Sequence, residues 1–267
     1  MRRHEQDGKT QDAACHKRDV AQMSIDGPSL AQRLALAREA APDDVRSPSI
    51  LRLLAEAQAV IEPFRRLGRH IDIQPAEQPR KVMLLPGFGT HPIRMRYMAR
   101  QLERAGHKVK RWGMGFNLGP TPENFAILEQ RLLDLHDRYG EPVVLVGWSL
   151  GGLFARELAK RHPEAVAKVI TMGSPFSGSP RANNAWRIYQ FVTGHSVETP
   201  PVSQDVSEKP PVPTIAFWSA RDGIVSPRSS CGRQGERDRA VALRCTHIGF
   251  AYSEESILAV LRELKVS

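Results

Sequence analysis

The sequence predicts an α/β protein: a mostly parallel central sheet with helices on both faces, a lid-like insert and an N-terminal helical extension. Three observations carry that class. From residue 81 onward, short apolar runs of strand length alternate with amphipathic segments of helix length, the order that builds a parallel sheet covered on both sides. A proline-rich stretch with an aromatic segment, residues 176–212, interrupts the alternation once. The chain has 267 residues, 41% hydrophobic and 25% charged, which suits one α/β unit with an extension. That composition excludes a disordered chain, a collagen and a disulfide-stapled mini-protein. No stretch approaches the roughly 18 apolar residues of a membrane span. No apolar segment follows Met1-Arg2-Arg3, so the expectation is a cytoplasmic chain with reduced thiols and no secretory signal.

The elements follow in order. Residues 1–28 are polar, without apolar period, and read as a disordered tail in which Met23 is an alternative start. Residues 29–80 form the extension, with helices over Ser29–Ala40 and Ser49–Leu67. In the second, Ile50, Leu53, Leu54, Ala57, Val60, Ile61 and Phe64 make a stripe expected to bury on the main body. The main domain, residues 81–267, opens with a strand over Lys81–Leu85 and a turn, Pro86-Gly87-Phe88-Gly89. A helix over Pro92–Ala105 and a strand over His107–Trp112 come next. Thr121 is an N-cap with Pro122 at the first helical position, and Phe125, Leu128, Leu132, Leu135 and Tyr139 share one helical face. A strand over Val143–Trp148 and a helix over Leu150–Arg161 follow, then a strand over Lys168–Gly173. Beyond the insert come strands over Pro213–Ser219 and Ala240–Thr246. A last helix over Ser253–Leu264 carries Glu254 and Glu255 in its first turn, where the helix dipole favours acids.

Gly147-Trp148-Ser149-Leu150-Gly151 fits Gly-x-Ser-x-Gly. Alone the pattern is a modest signal. Its context strengthens it, because an apolar strand runs directly into the serine and a helix leaves directly from it. Such a turn lifts a hydroxyl above the carboxyl edge of the sheet, where ligands bind in open α/β folds. A serine needs a base to take its proton. Of nine histidines, His247 alone directly follows an expected strand at that edge. A carboxylate must then orient the imidazole and offset its charge. Asp222, in the loop after Thr214–Trp218, fits; Asp205 in the insert is the rival.

The chain order Ser149, Asp222, His247 resembles that of the α/β-hydrolase superfamily, in particular its esterase- and lipase-like members. The resemblance spans Lys81–Leu264. It rests on Gly147–Gly151, on Asp222 in Arg-Asp-Gly-Ile-Val, on Thr246-His247 and on Pro86-Gly87-Phe88-Gly89. It implies Ser149 as nucleophile, His247 as general base and acid, and Asp222 as orienting acid. It implies an oxyanion hole from the backbone N–H groups of Leu150 and Phe88, although Pro86 stands where many relatives have a histidine. The activity implied is hydrolysis of a carboxylic ester through an acyl-enzyme, with neither metal nor organic cofactor. Thioester hydrolysis, acyl transfer and perhydrolysis use the same triad, and a non-catalytic binding protein of the same fold is the rival of another class.

The insert occupies the place of a lid. Trp148, Trp186 and Tyr189 are candidate substrate contacts, and Ile188, Phe191 and Val192 either line an acyl pocket or pack the lid itself. Cys231 and Cys245 lie close enough in sequence to pair, against the expected reducing compartment. The net charge of +9 concentrates in two places. Seven basic residues against Glu103 lie between Arg94 and Arg111. Six arginines against Asp222, Glu236 and Asp238 lie between Arg221 and Arg244. No nucleic-acid motif accompanies them. The expected partner is a small-molecule ester, anionic or lipid-like, with Arg228 and Arg233 meeting an anionic one.

Overall fold

A computed structural model describes residues 27–60, 71–202 and 205–266. The expected tail (all but its last two residues), Met23, Cys15 and the second half of the Ser49–Leu67 helix lie outside the described residues. In chain order the elements are α1 (Leu30–Ala37), α2 (Ile50–Ala55), β1 (Lys81–Leu85), α3 (Arg96–Arg104), β2 (Lys108–Arg111), α4 (Pro122–Tyr139), β3 (Val143–Trp148) and α5 (Leu150–Arg161). They continue with β4 (Val166–Met172), α6 (Trp186–Thr193), β5 (Thr214–Ser219), α7 (Pro227–Cys231), β6 (Arg239–Leu243) and α8 (Glu254–Lys265).

The six strands make one parallel sheet in the order β2-β1-β3-β4-β5-β6. The order reverses at β1, so the crevice outside the carboxyl ends of β1 and β3 is the topological switch point, where ligands of open α/β sheets sit. Side chains alternate faces along each strand. Val82, Leu84, Val144, Val146 and Trp148 point to one side, against α3 and α8. Met83, Leu85, Val143 and Leu145 point to the other, against α4 and α5. Burial on both faces is why β1 and β3 read as unbroken apolar runs rather than alternating ones. The cap of α4 is the expected one: Thr121 accepts the Asn124 N–H at 3.1 Å, and Gly140 closes the helix in the left-handed conformation.

Several boundaries differ. The expected helix from Pro92 begins as a 3₁₀ turn, Pro92–Met95. The last strand ends at Leu243, leaving residues 244–247 as loop. The helices α6 and α7 and the 3₁₀ turns Pro163–Ala165 and Ile248–Ala251 are not among the helical elements expected from the sequence. Part of the first basic cluster belongs to β2, the sheet's edge strand, where Lys108, Lys110 and Arg111 are the charges that keep an open edge from pairing with another chain.

The extension differs most. The helix expected over Ser49–Leu67 ends at Ala55 and tightens into a 3₁₀ turn, Glu56–Val60. In the described part of its stripe Ile50, Leu53 and Leu54 do not bury, at 74%, 39% and 65% exposed, whereas Glu56 is 5% exposed. Near the end of the extension, Ile71 and Ile73 join the apolar core, whereas α1 and the segment after it hold to the body by polar contacts. α1, closed by a Ser29–Gln32 capping box, lies on α6. Arg33 donates to the carbonyls of Phe191 and Val192, and Gln190 donates to the Leu36 carbonyl at 2.6 Å. Arg181 pairs with Glu39 at 2.6 Å. Among the described residues no helix is long and apolar enough to cross a membrane.

Candidate active site

Ser149 sits on the turn between β3 and α5 with φ 53° and ψ −122°, the only non-glycine residue with positive φ among those described. Both neighbours grip it. Its N–H still donates to Met172 of β4 at 2.8 Å, while its carbonyl already accepts from Gly152 of α5 at 3.0 Å. A conformation this unfavourable persists only where surrounding structure over-determines it. Leu150 is the first residue of α5, so its N–H has no acceptor within the helix and stands at the positive end of the helix dipole.

Phe88 lies on the turn after β1, beside the same crevice. Asn117 clamps that turn from the loop before α4. Its side-chain N–H donates to the Pro86 carbonyl at 2.7 Å, its carbonyl accepts from Gly89 at 2.7 Å, and its N–H donates to Thr90 at 3.0 Å. Nothing in the sequence marks Asn117 beyond the usual polar loop residue, yet it is fully buried. Asn117→Ala is expected to cost about 1–3 kcal/mol of stability. It should lower kcat about tenfold with KM little changed, since the turn shifts and the pocket does not. Urea melts and steady-state kinetics read the two effects separately.

The loops after β5 and β6 bring Asp222 and His247 together, at 0% and 3% exposure. His247 Nδ1 and Asp222 Oδ2 are 2.8 Å apart. The other carboxylate oxygen accepts the N–H groups of Ile224 at 2.8 Å and Val225 at 2.7 Å, which locks its orientation. Asp205, the sequence rival, is held elsewhere, accepting the Ser207 hydroxyl and N–H. Burial works against the imidazolium of His247, but the charge and hydrogen bond of Asp222, with the charge of Glu56, outweigh it, so its pKa lies above the ordinary value. Glu56 Oε1 accepts from the N–H groups of Gly223 at 2.9 Å and His247 at 2.7 Å, and Oε2 accepts from Ile248 at 2.9 Å. The sequence places Glu56 on the polar side of an amphipathic helix, which gives no sign of this.

A cavity of about 440 Å³ opens beside Ser149, walled by Phe88, Leu150, Phe154, Phe176, Trp186, Tyr189 and Val225 among others. Trp186 and Tyr189 both line this cavity, and the Phe88 and Tyr189 rings lie 5.2 Å apart. Ile188 and Phe191 face outward instead. Trp148 is a correction. It is not on the pocket wall, because strand alternation sends it to the opposite sheet face, where its indole N–H donates to the His247 carbonyl at 3.0 Å. Of the two arginines expected to meet an anionic substrate, Arg233 lines the cavity and Arg228 does not, and Glu157, Glu198, Asp205 and Glu236 share the wall. Arg156 of α5 braces the far wall. Its guanidinium donates to the carbonyls of Val206, Ser207, Glu208 and Glu236, and lies 4.2 Å over the Phe176 ring. Burial pulls its pKa down to about 10, against the pull of Glu236 and Asp205, so it stays charged near neutrality. Cys231 and Cys245 are both free thiols.

A parallel sheet with its strained serine turn at the switch point, and a buried His–Asp pair on the neighbouring loops, is the architecture of the α/β hydrolases. Residues 82–192 match the sequence family described as alpha/beta hydrolase fold. The chain is 36% identical over 97 residues to pimeloyl-(acyl-carrier protein) methyl ester esterase of Edwardsiella ictaluri, covering 36% of this chain and 36% of that protein. The same-named protein of Aromatoleum aromaticum is 39% identical over 67 residues, covering 25% and 27%. The matches thus span about a third of the length of these relatives. Among solved structures, the monoacylglycerol lipase of Paleococcus ferrophilus aligns with TM-score 0.52 and 18% identity over 72% of this chain and 96% of that one. The mature lipase of Bacillus licheniformis aligns with TM-score 0.55 and 15% identity, again over 72% and 96%. The chain thus has the α/β-hydrolase fold.

Proposed function

We propose that the protein is a serine hydrolase of carboxylic esters, with Ser149, His247 and Asp222 as its triad. The observation that carries the reading is the buried His247–Asp222 pair beside a pocket that exposes the strained Ser149. Ser149 Oγ attacks the ester carbonyl as His247 Nε2 accepts its proton. The oxyanion rests on the N–H groups of Leu150 and Phe88. The carbon–oxygen bond to the leaving alcohol breaks as His247 returns the proton to it. Water, deprotonated by His247, then releases the acid and restores Ser149. Asp222 holds the Nδ1–H tautomer throughout.

The pocket supports a neutral acyl group rather than an anionic one. Its wall is mostly apolar, and among the described residues Arg233 is the one basic residue on it, beside four acidic ones. The names of the two esterase relatives, which include a methyl ester, agree with a small alcohol leaving group. A panel of p-nitrophenyl esters, thioesters and amides of graded chain length tests the reading. Neutral esters of short to medium chain are expected to turn over fastest; preference for amides or for dicarboxylate half-esters would reject it. The pH profile is the second check. A general base works only unprotonated, so kcat/KM should fall on the acid side as His247 gains its proton. Because the His247 pKa is raised, that limb should lie above the ordinary histidine value of about 6.5. A profile flat from pH 5 to 8 would remove His247 as base.

A further inference from the structure

We propose that Glu56, carried by the N-terminal extension, is a positioning residue of the catalytic centre, tying the loop of Asp222 to the loop of His247. The inference rests on reading Ser149, His247 and Asp222 as the triad. The three backbone donors to Glu56 are not scattered. Gly223 directly follows Asp222, and the other two are His247 itself and Ile248. A single atom, Oε1, takes a hydrogen bond from each loop and so bridges them. A carboxylate taken this far from water is unfavourable unless such donors compensate it, and here the two catalytic loops supply all three. The backbone of His247 is thereby held at both ends, its N–H by Glu56 and its carbonyl by the Trp148 indole. Asp222 fixes only the ring.

The close approach is built into the neighbouring residues. A Cβ on Gly223 would lie 2.2 Å from the Arg52 carbonyl oxygen, so α2 reaches this loop only because the position is glycine. The titratable groups packed around His247 are Asp222 on the β5 loop, Glu56 on the extension and Cys245 two residues upstream, whose thiol burial pushes up. The charge of Glu56 adds to that of Asp222 in favouring the imidazolium that forms as Ser149 gives up its proton.

Glu56→Gln and Glu56→Ala, assayed across pH with active sites titrated by a fluorophosphonate, test the proposal. Glutamine keeps the shape and one acceptor oxygen but loses the charge. Losing a negative charge lowers the His247 pKa, so the acid limb of kcat/KM should move down by about half a pH unit. kcat per titrated site should fall about tenfold with KM within about twofold, and alanine should deepen the loss to about 100-fold. If alanine does not fold, the isosteric glutamine carries the test. An unmoved acid limb with wild-type kcat per titrated site would overturn the role of Glu56, leaving it a fold contact only. So would a loss confined to the number of titratable sites. Wild-type activity in Ser149→Ala would instead overturn the triad reading, and this role with it.

Discussion

Ser149→Ala is expected to lower kcat by about 10⁴- to 10⁶-fold on any ester the protein turns over. In the proposed mechanism Oγ is the atom that forms the acyl bond, and the remaining parts of the site cannot replace it. Phe88 and Leu150 would still offer their N–H groups and the cavity would still bind substrate, so a residual rate above that of water is expected. The fold should be unaffected or slightly relaxed, since the serine is held in the turn by its backbone N–H and carbonyl. Two measurements check this. The burst of p-nitrophenol on mixing with a chromogenic ester should vanish. A fluorophosphonate should add one adduct to the wild-type mass and none to the variant. Labelling of the variant at another serine would move the nucleophile elsewhere.

Gly151→Ala should also be damaging, less severely and by a different route. A Cβ there would stand 2.3 Å from the Leu85 carbonyl oxygen, 2.6 Å from its carbon and 2.7 Å from the Pro86 oxygen. All three are backbone atoms at the end of β1 and the start of the Phe88 turn, so no side chain can rotate away to make room. Either α5 lifts off β1 or the turn retreats. Lifting α5 moves Ser149 and Leu150; moving the turn moves Phe88. The expected cost is about 1–3 kcal/mol of stability. A displacement of about 1 Å at the reacting atoms gives about a 100-fold loss of kcat/KM. Chemical denaturation and steady-state kinetics on the folded variant separate the two. Wild-type values in both would mean that the helix can slide without disturbing the serine.

Much of this was legible because the physics is local. β3 and β1 are buried on both faces, so they appear as continuous apolar runs. The serine turn leaves its mark in glycines, because close approach of α5 to β1 excludes side chains. The choice between Asp222 and Asp205 was not local: both are loop aspartates, and only closure of the β5 and β6 loops puts one of them 2.8 Å from His247. Trp148 takes the other sheet face because alternation along β3 sets it with Val144 and Val146. Glu56 and the extension were least legible. An amphipathic stripe implies an apolar docking face, but the contact that buries is the carboxylate, and its partners lie 167 to 192 positions along the chain.

Those separations bear on how the molecule comes to be made. Glu56 leaves the ribosome long before the amides that receive it, and until the β6 loop exists its carboxylate belongs in water. Closing so long a loop is entropically costly, and the cost is recovered only when all three donors are in place. The core strands β1, β3 and β4 can pair earlier, since fewer residues separate them. Glu56 therefore meets its three amides only on a sheet already begun, as the loops after β5 and β6 close.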